Sequence, residues 1–193
     1  MSGKQREDPK AADPRARKTR KALLDSLIGL VHRRRYEEFA VGDIVDDAEV
    51  GRSTFYEHYK SKDDMLVETM GQMLDVMASV ASDVDDVAGL EGVLLHFLEN
   101  KKFARTFFAS AASRPAMERA RGLLAERIRL HLEARQERHG VRASLDPALI
   151  AAALAEAQFA YVRTWISNVE ACSAKDLARA MRASAIGSIS ALC

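Results

Sequence analysis

The sequence has few of the features that support disulfide frameworks, metal sites or membrane spans. Its two cysteines, Cys172 and Cys193, match no disulfide or redox motif, and we interpret them as incidental thiols. The five histidines form no metal-ligand pattern. No apolar run approaches membrane-spanning length, and the first residues lack the apolar core of a signal peptide. We therefore expect a cytoplasmic protein with no metal, no cofactor and no membrane contact.

Proline and runs of β-branched residues are also scarce, and their scarcity favours helices. The 193 residues include only four prolines, whereas alanine and arginine are abundant. Hydrophobic residues make up 48%, enough to bury a sizeable core. These features predict an all-α protein.

The charges are unevenly placed along the chain. Residues 1–35 contain 11 Lys/Arg against 4 Asp/Glu, whereas residues 63–193 contain 15 against 17. A basic segment on a nearly neutral remainder is typical of a protein whose N-terminal part binds a polyanion. The run Arg33-Arg34-Arg35 has two interpretations of equal weight: it offsets the dipole at a helix C-terminus, or it contacts phosphates.

Capping signals and apolar periodicity place the helices. Asp13-Pro14 predicts the start of a first helix that ends near Arg34, and Ser61-Lys62-Asp63-Asp64 predicts a capping box. We expect one long helix from Lys62 to about Ser82, and a flexible tail over residues 1–12. Further helices are predicted at about 90–100, 101–113, 115–139, 146–168 and 173–191.

Residues 40–62 carry the most specific pattern of the chain. Two apolar stripes lie on consecutive short helices: Ile44, Val45 and Ala48 on the first, and Val50, Phe55 and Tyr59 on the second. Because Phe55 and Tyr59 are four residues apart, they share one helix face and can pack inward. Polar side chains are left outward on the second helix, as in the recognition helix of a helix-turn-helix.

This pattern resembles the TetR family of bacterial transcriptional regulators. The resemblance is densest over residues 17–70 and depends on a series in fixed register: Ile44, Ala48, Val50, Arg52 to Tyr56, Tyr59, Ser61 and Lys62. Two positions differ from the family. Glu49 stands where a turn glycine is usual, and a positive φ there would strain it, unless Gly51 lets the turn shift by one residue. Ala40 stands where Ser or Thr usually caps the first helix, a loss of about 1 kcal/mol.

The resemblance implies a fold and a domain arrangement. The fold is all-α with about nine helices: an N-terminal three-helix head with the helix-turn-helix, and a C-terminal helical body for ligand binding and dimerisation. We expect the helix-turn-helix domain over residues 17–77, the helix-turn-helix itself at about 40–59, and the effector-binding and dimerisation domain over 78–193.

The resemblance also implies a double-stranded DNA partner with a palindromic operator. By this resemblance, the start of the recognition helix reaches base edges in the major groove, and later residues hold phosphates. The expected base contacts are Arg52, Ser53 and Thr54, and the expected phosphate contacts are Tyr56, His58 and Lys62.

The last two predicted helices are rich in alanine and show more apolar surface than one neighbour covers. The resemblance implies that they pair across a twofold axis in a homodimer, with Ala153 and Ala185 at the seam, and burial within one protomer is the alternative. It also implies a small-molecule effector of unknown identity, although large apolar residues in a helical body are most often simply core. The candidate effector-binding residues are Met77, Phe97, Phe107, Phe108, Tyr161 and Trp165.

The function implied is a homodimeric, sequence-specific DNA-binding transcriptional regulator, most often a repressor released by its effector. The alternative is a DNA-binding architectural or cell-cycle protein on the same fold, without a metabolite effector. An enzyme is a distant third hypothesis. His96 and Glu99 share a helix face but form no convergent acid–base set, so we expect no catalytic residues.

Overall fold

The computed structural model describes residues 13–140 and 144–192, and within these ranges the chain forms ten α-helices and no strand. The helices are α1 Pro14–Arg33, α2 Val41–Asp47, α3 Arg52–His58, α4 Lys62–Thr69, α5 Gly71–Ala78, α6 Val87–Glu99, α7 Lys101–Ala109, α8 Arg114–His139, α9 Pro147–Ser167 and α10 Ala174–Leu192. Two 3₁₀ turns, Tyr36–Glu38 and Ser79–Ala81, complete the structure. The all-α expectation is confirmed, and the expected tail, residues 1–12, lies outside the described residues.

Side-chain caps start the helices where the sequence predicts them. Asp13 accepts a hydrogen bond from the N–H of Arg15 at 2.9 Å at the start of α1. Asp146 accepts one from the N–H of Ala148 at 2.8 Å at the start of α9. In both helices a proline occupies the first turn, where its missing N–H costs nothing.

The predicted single helix over residues 62–82 is wrong, because the chain is interrupted at Met70. The N–H of Met70 donates to the carbonyl of Val67, three residues back, at 3.1 Å, and so the helix tightens into a 3₁₀-type turn. Gly71 follows, and glycine weakens a helix interior. Arg127 of α8 donates to the Gly71 carbonyl at 2.9 Å. Ten helices therefore replace the nine expected, as far as the chain is described.

The chain divides into two compact units, Met1–Leu66 and Val67–Cys193. In the N-terminal unit, apolar side chains from α1 to α4 meet in one core. Its buried members are Leu23, Leu27, Leu30, Tyr36, Phe39, Ile44, Val45, Phe55, Tyr59, Met65 and Leu66. The hydroxyl of Ser26 donates to the Ile44 carbonyl at 3.1 Å and joins α1 to α2 inside this core. This core holds α1 against α2 and α3, the two helices of the helix-turn-helix.

In the C-terminal unit, α8 and α9 pack along each other, and α10 packs against α6. The buried core includes Leu74, Met77, Leu90, Leu94, Leu124, Ile128, Val162, Ile166, Met181 and Ile189. Ala185, expected at a seam between subunits, is 1% exposed within this unit, so part of the alanine pattern of α10 is core of a single protomer. Among the described helices, none is long and apolar enough to cross a membrane.

Candidate nucleic-acid interface

Ion pairs hold the end of α1 to α2. Arg33 Nη2 lies 2.8 Å from Asp47 Oδ1, and Arg34 Nη1 lies 2.7 Å from Asp43 Oδ1. These two arginines therefore have carboxylate partners on α2, a role that neither sequence interpretation of the basic run included. The sequence patterns likewise did not predict that Asp43 would hold the start of α2. Its position three residues after Ala40, where a capping box carries an acidic side chain, could have indicated it.

The turn between α2 and α3 has a positive φ at Glu49, the position where the family usually has glycine. Glu49 has φ 54° and is the one non-glycine residue with a positive φ in the described ranges. The Val50 N–H donates to the Val45 carbonyl at 2.9 Å, and the Glu49 N–H donates to the Asp46 carbonyl at 3.3 Å. This pair of bonds is a Schellman motif, which normally has glycine at the left-handed position. Gly51 has an ordinary φ of −69°, so the turn is not shifted by a residue.

Helix α3 buries its aromatic face and exposes its first residues. Phe55 is 0% exposed and Tyr59 is buried beside it, with ring centroids 5.8 Å apart. Arg52 and Ser53, at the start of the helix, are exposed. No acidic residue occupies the first turn of α3, so the positive end of the helix dipole is not offset there. This is the arrangement that a groove-reading helix requires.

The remaining predicted DNA-binding residues of α3 lie on its flanks. Thr54 and His58 are half-buried, and Tyr56 is 58% exposed. The Tyr56 ring packs edge-on against Phe55, with 5.3 Å between the two centroids. The structure thus brings five of the six predicted residues onto one short helix. Their contacts with DNA stay a prediction.

Arg52 folds back over the start of α2, where a glycine leaves room for it. A Cβ at Gly42 would lie 3.1 Å from Arg52 Nη2. The guanidinium therefore lies almost against the α2 backbone. Nothing in the sequence pattern indicated that this glycine and this arginine meet.

Lys62, the sixth predicted residue, lies in a different environment. Its Nζ donates to the carbonyls of Tyr36 and Phe39, each at 2.7 Å. The same ammonium lies over both rings, 4.2 Å from the Tyr36 centroid and 4.9 Å from the Phe39 centroid. Burial lowers the pKa of Lys62, and the negative charges of Asp63, Glu37 and Asp43 partly oppose that shift. A phosphate contact by Lys62 stays a prediction that would require this ammonium to leave two carbonyls.

The phenol of Tyr36 extends the same cluster. Its hydroxyl donates to Asp63 Oδ1 at 2.5 Å, and burial, followed by that hydrogen bond, raises the pKa of Tyr36 well above its ordinary value. The phenol is therefore neutral at every physiological pH. It joins the turn before α2 to the first turn of α4.

The predicted effector residues of the C-terminal unit are only partly brought together. Phe108 lies 5.9 Å from Phe97 and 6.1 Å from Phe107, measured between ring centroids, and 6.4 Å from Phe159. Met77 is buried in α5, and Tyr161 and Trp165 make no ring contact with this cluster in the described part of the chain. The Trp165 indole N–H instead donates to the Cys172 carbonyl at 2.9 Å.

A small cavity of about 40 Å³ opens beside Phe108, between α7, α8 and α9. It is lined by Phe108, Met117, Arg121, Glu156, Phe159, Ala160 and Arg163. Arg121 Nε lies 3.5 Å from Glu156 Oε1 at its edge. The volume is well below the roughly 300–1,000 Å³ of ordinary small-molecule pockets. Of the predicted effector residues, Phe108 alone lines it; Met117 and Arg121 gave no signal in the sequence.

Comparison with known proteins agrees with this geometry. The sequence profile described as "Bacterial regulatory proteins, tetR family" matches residues 23–69, which include the second half of α1 and all of α2, α3 and α4. No protein of curated function matches the chain in sequence.

Solved structures share the fold over nearly the whole chain. A TetR transcriptional regulator from Rhodococcus sp. RHA1 is 17% identical, with TM-score 0.57 over 94% of this chain and 100% of the other. Thermus thermophilus FadR, a TetR-family transcriptional repressor in complex with lauroyl-CoA, is 18% identical, with TM-score 0.57 over 86% and 93%. RolR in complex with resorcinol is 21% identical, with TM-score 0.52 over 91% and 93%.

The match of residues 23–69 to a family of bacterial regulatory proteins, together with the shared fold, supports a DNA-binding transcriptional regulator. Residues 23–69 match the model of the TetR family, and solved TetR-family regulators share the fold of the chain.

Proposed function

We propose that this protein is a cytoplasmic homodimer that binds a palindromic operator in double-stranded DNA and represses transcription until a small-molecule effector releases it. The observation that carries the proposal is the exposure of Arg52 and Ser53 at the start of a helix whose Phe55 is completely buried. Such a helix presents donors to a groove while its other face is anchored in the core.

The proposed contacts divide into base contacts and phosphate contacts. Arg52, Ser53 and Thr54 reach base edges in the major groove, and Arg52 is suited to a guanine because its guanidinium can donate two parallel hydrogen bonds. Tyr56 and His58, on the flanks, hold phosphates and fix the register of the helix. To reach a base edge, the Arg52 guanidinium must leave its position beside Gly42 of α2.

Dimerisation through α9 and α10 is supported by small side chains on their exposed faces. Ala152, Ala153 and Ala160 of α9 are exposed, as are Ala180 and Ala183 of α10. Small residues let helices of two subunits approach closely and bury apolar surface. Leu149, 59% exposed, stands at one end of the α9 face. A dimer is also what operator recognition needs, because one helix-turn-helix reads too few base pairs.

The effector is supported by the aromatic cluster around Phe108 and by the relatives that bind lauroyl-CoA and resorcinol. The space beside Phe108 is about 40 Å³, and a groove of about 270 Å³ between α8 and α9 adjoins it at Arg121 and Glu156, so an effector would occupy that groove or widen the space beside Phe108. Effector binding then shifts the population of the dimer away from the DNA-competent form.

The experiment is selection of bound duplexes from a random library, followed by binding of the enriched duplex over a series of salt concentrations. We expect a palindromic sequence with two half-sites about one helical turn apart. We also expect log affinity to fall with log salt by about 0.9 for each phosphate neutralised. A wild-type protein that enriches no sequence and binds no duplex at low salt contradicts the proposal.

The second candidate is an architectural or cell-cycle DNA-binding protein without a metabolite effector, and the observation in its favour is the small space of about 40 Å³ beside Phe108. A genome-wide binding map separates the two. A few promoter sites support the repressor, and many dispersed sites support the architectural protein.

A further inference from the structure

The ammonium of the half-buried Lys62 contacts four groups of its own unit. Two backbone carbonyls, those of Tyr36 and Phe39, accept from it at 2.7 Å, and the faces of the same two residues' rings lie 4.2 and 4.9 Å away. The two rings pack edge to face, with centroids 5.7 Å apart, and both side chains are buried. Carbonyl oxygens and aromatic ring faces attract cations, so these four groups stabilise the Lys62 ammonium in its charged form.

The carbonyls held by Lys62 belong to the segment that leads into the helix-turn-helix. Tyr36 starts the 3₁₀ turn after α1, and Phe39 is the second residue before α2. Ala40, between Phe39 and α2, has no side-chain cap of its own. Lys62 itself is the first residue of α4. It therefore joins the entry of α2 to the helix that follows α3, and so it spans the pair of helices that meets DNA.

We propose that Lys62 is a positioning residue of the DNA-binding unit: its ammonium holds the Tyr36 and Phe39 carbonyls, fixes the entry of α2, and does not contact DNA phosphate. The proposal rests on duplex DNA binding by α3, since its effect is transmitted through α2 to the first residues of that helix. It replaces the phosphate contact that the family resemblance implies for this residue.

Lys60 provides a matched control two residues away. It is exposed and has no hydrogen bond or ion pair in the described part of the chain. The two lysines therefore differ in environment while sharing chemistry and sequence neighbourhood. Replacing either by Met keeps the length of the side chain and removes the ammonium.

The first experiment compares Lys62→Met and Lys60→Met on the enriched duplex and on a scrambled duplex of the same composition. For Lys62→Met we expect the ratio of the two affinities to fall about fivefold to thirtyfold, which corresponds to 1–2 kcal/mol, because α3 loses its fixed position. The slope of log affinity against log salt should stay at the wild-type value, whereas a lost phosphate contact lowers it by about 0.9. Lys60→Met should leave the affinity ratio unchanged. A lower slope for Lys62→Met, or an unchanged ratio, overturns the proposal.

The second experiment uses the wild-type protein and does not depend on the folding of a variant. Brief acetylation with limiting acetic anhydride is followed by mass spectrometry of Lys60 and Lys62. In the free protein we expect Lys62 to react at least about tenfold more slowly than Lys60, the factor that corresponds to 1.4 kcal/mol. Equal rates in the free protein, or protection of Lys62 that appears only with duplex, overturn the proposal. If the wild type binds no duplex, the proposed function fails, and the rates in the free protein still decide the position of Lys62.

Discussion

The carboxylate of Asp43 accepts a hydrogen bond of 2.8 Å from the backbone N–H of Ala40, three residues earlier in the chain. Alanine cannot cap a helix with its own side chain, so α2 begins with only the acidic half of a capping box. Arg34 binds the same carboxylate at 2.7 Å, and thus one side chain holds both the entry of α2 and the end of α1.

Asp43→Ala should make the stability of the N-terminal unit less dependent on acid. The Ala40 N–H, and after it Arg34, lower the pKa of the Asp43 carboxyl below its ordinary value of 3.8. A lowered native pKa stabilises the fold above the unfolded value, and this contribution is lost as the pH falls through the native pKa. Denaturant unfolding should therefore show a less stable variant at pH 7 and a difference that vanishes below the native pKa. Asp46→Ala is the control, because it removes an exposed carboxylate of the same helix and leaves the bonds of Asp43 to Ala40 and Arg34 in place. An equal loss of stability in both variants would contradict the assignment.

Glu49→Gly should leave the protein equally stable or stabilise it by up to about 1 kcal/mol. Relief of a left-handed residue is worth about 1–2 kcal/mol, and the greater freedom of glycine in the unfolded chain offsets roughly 0.4–1 kcal/mol of it. Gly51→Ala is the control, because Gly51 has an ordinary φ and a Cβ there would meet its nearest side-chain atom at 3.7 Å. A clear loss of stability in Glu49→Gly would mean that the Glu49 side chain stabilises the turn in another way.

Arg52→Ala and Thr54→Ala should relax base preference at particular positions of the enriched duplex, at a cost of about 1–3 kcal/mol for a lost base contact. Tyr56→Ala should weaken binding to all sequences alike, because a phosphate contact carries no sequence information. The measurement is affinity for a set of single-base-pair variants of the duplex. If Tyr56→Ala changed base preference, and Arg52→Ala and Thr54→Ala weakened binding to all sequences alike, α3 would enter the groove on another face.

Ala153→Glu should split the proposed dimer and reduce operator affinity with it, although the DNA-binding unit is unchanged. A carboxylate at a helix seam is desolvated without a partner, which is strongly unfavourable. Ala134→Glu, the same change at an exposed alanine of α8, is the control and should leave the dimer intact. Analytical ultracentrifugation at micromolar concentration measures both. A wild type that sediments as a monomer and binds the operator at full affinity would rule out the arrangement.

Local patterns predicted most of the helices and the orientation of α3. Caps such as Asp13 and Asp146 act within two residues, and the four-residue spacing of Phe55 and Tyr59 defines a helix face in any fold. The interruption at Met70 was missed because the apolar pattern continues through it. A 3₁₀-type bond and a contact from Arg127 on a distant helix end α4 there, and neither leaves a trace in the periodicity.

Helical periodicity and capping act over a few residues, so sequence patterns were enough to predict a helical chain in which Phe55 and Tyr59 pack inward and polar residues of α3 face outward. The partners of the charged and small side chains depend instead on the tertiary structure. Lys62 meets carbonyls 23 and 26 residues away, Arg33 meets a carboxylate 14 residues away, and Ala185 is buried in its own unit. Such partners depend on the path of the turns between helices, since a short segment fixes its own conformation but not which distant atoms pack against it.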